Sequence, residues 1–414
     1  MRTFYIVVVI LLLLSCNKSG NNPIPNPPLP PVDSSQPASH INFGKLVFLS
    51  DTFRIYDANT GKLQIYSGPY GILSGAYINN TTIDSNLVYQ PSEDGLLALN
   101  AMTGNVQYIK YFYVGHFTGV SKCFPIIEGN FLYQCFYNYL GSYLYCLNKR
   151  TGDTVWQAQT YLGGDTDDFF PTTDQTNQNI VVTSVNGPVC FAKADGHLVW
   201  KNFSNIEYAK FRPYPTVCPE NKALFFNEQN TVLYAFDLQN GNFLWKLPLS
   251  SYGYIRSSKP FYYNNKIYIT ILPVSTDLQH GYLVVSIDLN TGQVIDKFSY
   301  PLATGAIAYY DQYFYVCEDP TLTSSPIRLS KHLLSNGSSL WTTSLKGKYG
   351  YGLVNTPGYL YYTEQNSSDG SGVKMMDIID QTTGNLLRQY PVFTDIPFTP
   401  DVVDSLGHVY YQQR

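Results

Sequence analysis

The sequence predicts an all-β fold, an eight-bladed β-propeller built of four-stranded antiparallel sheets. Three observations carry this. Eight glycines (Gly61, Gly104, Gly152, Gly196, Gly241, Gly292, Gly337 and Gly384) recur at spacings of 43 to 51 residues. All four tryptophans of the 414-residue chain stand four residues after one of them: Trp156, Trp200, Trp245 and Trp341 follow Gly152, Gly196, Gly241 and Gly337. No long stretch shows the 3.6-residue apolar period of a helix, so the repeat belongs to sheets and not to a helical solenoid.

Each copy reads as strand, turn, strand, as in LYAFDLQNGNFLW (233–245), LLALNAMTGNVQY (96–108) and LYCLNKRTGDTVW (144–156). Asp or Asn stands four residues before the glycine at Asp57, Asn100, Asn148, Asp237, Asp288 and Asp380. A side-chain oxygen there accepts backbone N–H groups inside the turn, and glycine supplies the positive φ that closes it. The motif is therefore a tight turn and not a ligand site. A further strand pair precedes each hairpin, with alternating aromatics around Asn-Asn, Asp-Gln, Glu-Asn or Pro-Gly at 260–271, 308–317, 216–227 and 356–363. One unit is thus four strands, A to D in chain order. A and B flank this second turn, C carries the Asp, and D carries the Trp.

The first unit lacks an A strand, since 45–50, 53–57 and 63–67 supply only B, C and D. The tail offers two segments, 398–404 and 408–412. A tail strand added to the first unit would join the two ends of the chain in one sheet and leave no free edge. The tail holds one strand more than is needed, and the sequence does not choose between them.

The A-xxxxx-G-xxx-W spacing is whole at Ala235, Gly241 and Trp245 and recurs in register over about residues 41–414. It resembles the tryptophan-docking repeat of the PQQ-like, quinoprotein-type eight-bladed propellers. The resemblance implies that each Trp packs across to the neighbouring blade. It also implies that a small residue, here Ala98, Cys146, Cys190, Ala235 or Ser286, makes room for it. Quinoprotein dehydrogenases of this kind bind PQQ at one mouth of the channel, with calcium and a catalytic Asp, and carry a pair of adjacent cysteines. This chain has no adjacent cysteines, and its four tryptophans all stand in docking slots. The expectation is the fold without the cofactor.

Residues 1–16, MRTFYIVVVILLLLSC, begin with a lone Arg2 and an apolar run too short to span a bilayer. The run ends in Leu-Leu-Ser-Cys16, which resembles a bacterial lipobox and implies lipid attachment at Cys16. The nucleophilic thiolate is the chemical reason for a cysteine there. Residues 17–40 are rich in Asn, Pro and Ser and contain PIPNPPLPP, so they read as an extended tether. The domain reading is a signal peptide over 1–16, a tether over 17–40 and a propeller over 41–414. It implies a protein of the bacterial cell envelope held to the membrane by its lipid. No Asp follows Cys16, and no acidic cluster stands beyond it. This favours the outer membrane, facing the periplasm.

A net charge of −4 with 14% charged residues gives nucleic acid no electrostatic footing. The length beyond the tether suits one large monomeric domain. Cys146 and Cys190 fill the small slot, and Cys135 and Cys317 hold equivalent places in B strands, so all four read as small buried hydrophobes. A bridge among Cys123, Cys135 and Cys146 stays open on sequence grounds. No CxxC, zinc spacing, HExxH or G-x-S-x-G occurs, and no catalytic residue is assigned. The loop Gly163-Gly164-Asp165-Thr166-Asp167-Asp168 gathers three carboxylates but lacks EF-hand spacing and a bounding Glu. It reads as a solvated acidic loop, and no metal is assigned.

Loop length is the better functional signal. The B–C connections at 137–142, 272–281, 318–326 and 364–372 are long, and the last three belong to neighbouring units. They carry Asp277, His280, Glu318, Asp319, Glu364 and Asp369, an acidic rim suited to a basic patch on a partner protein. The expected function is a lipid-anchored, non-catalytic scaffold for envelope proteins. In fold and anchor it resembles the lipoprotein propeller of the outer-membrane barrel assembly machinery. The alternative is a binder of glycans or small polar ligands, using Tyr137-Asn138-Tyr139 and Tyr349-Gly350-Tyr351. A PQQ-dependent dehydrogenase is the third reading.

Overall fold

The glycine turns close strand pairs in a computed structural model. It describes residues 45–49, 53–67, 82–84, 86–91, 95–100, 103–112, 125–138, 141–160, 171–173, 178–182, 187–202, 215–227, 231–255, 260–273, 281–300, 303–318, 327–346, 349–365, 374–392, 401–403 and 409–410. All of them fall within a unit of residues 39–414. The described residues are all-β, with no helix among them.

They form eight antiparallel sheets, numbered here in chain order. The second to fifth, the seventh and the eighth have four strands each, within 82–111, 126–159, 171–201, 216–248, 303–344 and 349–392. The sixth, within 253–300, has five because two short pieces, Gly253–Ile255 and Phe261–Tyr263, share the strand Lys266–Pro273. The first also has five. Lys45–Leu49 pairs with Asp401–Val403, which pairs in turn with Val409–Tyr410. Both tail segments therefore enter the first sheet, so neither is surplus.

Local chemistry explains the turns. Asp237 Oδ1 accepts the backbone N–H groups of Gln239 and Asn240 at 2.8 and 3.1 Å, and Gly241 N–H donates to the Asp237 carbonyl at 2.9 Å. The ladder bulges between Ala235 and Phe236 to admit the turn. Asp57, Asn100, Asn148, Asp288 and Asp380 repeat these contacts. The other hairpins use left-handed Asn264 and Asn265 (φ 48° and 59°), Asn221 (56°) and Asp311 (51°), as their Asn- and Asp-rich turns require.

Consecutive sheets are joined by one repeated contact. At six junctions among the described residues, the docking aromatic of one sheet lies on the turn glycine of the next and donates to the carbonyl three residues before that glycine. Trp156 Nε1 reaches Lys193 O at 2.9 Å, Trp200 reaches Leu238 O at 2.8 Å, Trp245 reaches Leu289 O at 3.0 Å and Trp341 reaches Gln381 O at 3.1 Å. Tyr108 Oη does the same to Lys149 O at 3.1 Å, and Tyr390 Oη to Ala58 O at 3.4 Å. Burying each large ring contributes about 2–3 kcal/mol of transfer free energy. Hydrophobic clusters fill the same junctions; one of them packs Val354, Tyr361, Met376, Ile378 and Tyr390 of the eighth sheet on Tyr56 and Ala58 of the first.

The small residue stands beside the ring: Cys146 and Ala235 pair with Trp156 and Trp245 within one sheet, and the room opposite is left by the next glycine. Several expectations change. In the sixth sheet Asp296 holds the tryptophan position and bonds with Ser286, so the ring resting on Gly337 is Phe298, two residues on. Similarly, the ring on Gly61 is Tyr390 and not Arg388. The B–C connection of the third sheet is short, because Phe131–Asn138 and Gly141–Asn148 pair to their ends. Long strands rich in Tyr and Asn had read as a loop there. Tyr349-Gly350-Tyr351 likewise begins a strand, Tyr349–Thr356.

Candidate functional site

Of the expected rim residues, Glu318 and Glu364 are described. Asp277, His280, Asp319 and Asp369 lie outside the described residues, as do Cys16, Cys123 and the loop 163–168. Glu318 ends the strand Tyr313–Glu318 and pairs with Arg328 at 2.9 Å, directly across the ladder. Glu364 ends the strand Tyr359–Gln365 and is only 1% exposed. It is a buried carboxylate at the seventh–eighth junction, not a solvent-facing rim charge.

Strand alternation explains why. Leu360 and Tyr362 pack toward Cys317 and Leu329 of the seventh sheet, and Glu364 continues that face. Asp377 is the ladder partner of Tyr362, and Gln389 is the partner of Asp377, so all three share it. Gln389 Nε2 donates to Asp377 Oδ1 at 2.9 Å and to Glu364 Oε1 at 3.2 Å, bridging two carboxyl groups. Asp377 Oδ2 is buried without a hydrogen-bond partner. Burial first, then the charge of Glu364, hold the Asp377 carboxyl well above the usual carboxylate range, against opposing pulls from Gln389 and Lys346. Above the cluster, Tyr362 Oη meets Cys317 Sγ across the junction at 2.9 Å, and burial raises that phenol too.

Sequence reading missed Asp377 and Gln389. The available signal was an Asp inside the core strand KMMDIID, at a position the two-residue period turns inward. Chemically the cluster presents no accessible nucleophile with a base. His332 is also interior. It is stacked on Phe314 and edge-on to Tyr300, its Nε2 lies 2.8 Å from Ser330 Oγ, and burial lowers its pKa.

A second feature lies at the opposite, turn-bearing end of the second–third junction. A cleft of about 260 Å³ is lined by Asp84, Asn86, Leu87 and Gln107 of the second sheet with Lys149 and Arg150 of the third.

The described residues do not fit a quinone site of the dehydrogenase kind. Every tryptophan is used at a junction, its Nε1 bonded to a neighbouring carbonyl. Among the described residues no group of three His, Cys, Asp or Glu can hold a metal ion. The five described cysteines, Cys135, Cys146, Cys190, Cys218 and Cys317, are all buried.

Comparison with known proteins bears on both fold and family. The chain is 27% identical over 245 residues to the tetrathionate hydrolase of Acidithiobacillus ferrooxidans, a match covering 54% of this chain and 46% of that protein. It thus spans about half the length of that curated relative. The crystal structure of BamB from Moraxella catarrhalis superposes with a TM-score of 0.52 at 16% identity, covering 89% of this chain and 98% of that one. The dihydro-heme d1 dehydrogenase NirN superposes at 0.59 and 14% identity, covering 88% and 76%. At these identities the two structures speak for the propeller fold alone. The model of the family described as Outer membrane protein assembly factor BamB matches residues 43–246 and again 140–343. With the docking repeat running in register through both spans, the chain belongs to this family of PQQ-like propellers.

Proposed function

We propose that this chain is a lipid-anchored, non-catalytic scaffold of the bacterial envelope, a monomeric eight-bladed propeller whose ring is closed by its two ends. The observation that carries the reading is the family match over 43–343, to an assembly factor of the outer membrane. Closure is supported by Tyr390 resting on Gly61 and by the pairing of Lys45–Leu49 with Asp401–Val403. Anchorage rests on the Leu-Leu-Ser-Cys16 pattern, and the outer membrane facing the periplasm is the compartment proposed.

The partner is an envelope protein presenting a basic patch to the rim of Asp277, His280, Glu318, Asp319 and Asp369. Cross-linking in whole cells followed by mass spectrometry tests this. One envelope protein recovered repeatedly, and lost when Asp277, Asp319 and Asp369 become Ala, is the expected result. Equal recovery from that variant overturns the rim. Cys16→Ala should release the protein from the membrane fraction.

A second reading, a binder of a glycan or small polar ligand, is favoured by the polar cleft between the second and third sheets. The likeness to a tetrathionate hydrolase supports assaying tetrathionate turnover alongside; activity there would displace the scaffold reading.

A further inference from the structure

In a repeat protein the informative positions are those where one junction departs from the others. Three residues after the turn glycine, the third to seventh sheets carry Val155, Val199, Leu244, Ile295 and Leu340. The first and second carry Gln64 and Gln107 there. Two residues before the glycine, only one of the eight turns carries a cation, Arg150; the next turn has Ala194. Gln107 and Arg150 sit in different sheets, yet both line the same cleft.

The floor of the cleft is rigid. Lys149 N–H donates to Asn130 O at 3.0 Å, and its carbonyl accepts from Tyr89 Oη at 3.0 Å and Tyr108 Oη at 3.1 Å. Its ammonium is held by Asp84. Arg150 makes no ion pair among the described residues and is exposed. Lys149 and Arg150 against Asp84 leave the lining with one net positive charge. Asn86 and Gln107 add amide donors and acceptors, and Leu87 a small apolar surface. The volume lies just below the roughly 300 Å³ at which drug-sized sites begin, so one small molecule fits and a folded segment does not.

We propose that this cleft binds a small polar molecule through a single carboxylate, with Arg150 as the receiving cation and Gln107 and Asn86 reading adjacent polar groups. A guanidinium presents paired N–H groups to a carboxylate, which gives orientation as well as attraction. A monoanion matches the net charge; Asp84 disfavours a doubly charged phosphate. The proposal rests on the ligand-binding reading and leaves the scaffold reading untouched. The carboxylate has two possible sources, an acidic sugar or an acidic amino-acid unit.

Isothermal titration of the full chain with sodium D-glucuronate, sodium N-acetyl-L-glutamate, inorganic phosphate and D-glucose tests it. At least one of the two carboxylates should bind saturably in the millimolar range, and the tighter of them identifies the source. Arg150→Gln should weaken that binding about tenfold, with its melting midpoint unchanged. Gln107→Val, which installs the residue type of the third and fourth sheets, should weaken it less. Absence of saturation by either carboxylate, equal affinity in Arg150→Gln, or tighter binding of phosphate overturns the cleft. D-glucose binding wild type and Arg150→Gln alike, with neither carboxylate saturating, removes the cleft but keeps the ligand-binding reading.

Discussion

Gly241 lies directly beneath the indole of Trp200: a β-carbon on Gly241 would come within 2.5 Å of Trp200 Cε3. The glycine is thus needed twice, for its φ of 71° in the turn and for the ring from the preceding sheet. Gly241→Ala strains the backbone and displaces the ring together. We expect a loss of more than about 2 kcal/mol in urea unfolding. A loss no greater than that of an exposed loop glycine would show that the ring moves freely.

Trp245→Ala removes a ring that is 8% exposed, together with its bond to Leu289 O. Large-to-small changes of this kind cost about 3–5 kcal/mol. The junction between the fifth and sixth sheets should loosen, lowering the melting midpoint and raising amide exchange on both sheets. An unchanged midpoint would refute the docking role.

Asp377 sets a pH dependence of definite sign. An acid whose pKa rises on folding binds its proton more tightly in the native state. Its contribution is therefore full at acid pH, and stability falls as pH climbs from about 3.8, the unfolded value, toward the raised native value. Asp377→Asn keeps the shape without the charge, so it should flatten this decline and raise the midpoint at pH 8 more than at pH 4. His332 has the opposite sign: its lowered pKa removes stability as pH drops below 6.5. That acid-side loss should survive in Asp377→Asn. Thermal melts across pH 4–9 on both proteins separate the two groups.

The thiols of Cys146 and Cys190 are pushed up to about 12 by burial. Little thiolate forms near neutral pH, and the packing bars access. Iodoacetamide should leave both peptides unmodified in the native protein and alkylate both in guanidinium, read by mass spectrometry. Rapid native labelling would mean that the junctions open.

Much of this was legible because the repeat is local. The Asp57 and Asn148 type of turn needs only its own five residues, so residue identity and spacing reveal it. The docking ring was less legible. Positions four and six after the glycine lie on one face of a strand, so Asp296 can yield to Phe298 and Arg388 to Tyr390 without altering the period. The depth of Glu364 was not legible at all. Its burial depends on a neighbouring sheet far away in sequence, and an acidic residue beside a loop normally faces water. The meeting of Gln107 and Arg150 becomes meaningful only once the fold brings both to one cleft.

Lys45 and Val403 are ladder partners from opposite ends of the chain. The strand Lys45–Leu49 waits with one edge bare until Asp401–Val403 is made to cover it. This ladder therefore closes late, and the interval before it closes is when a holding chaperone has the most to protect.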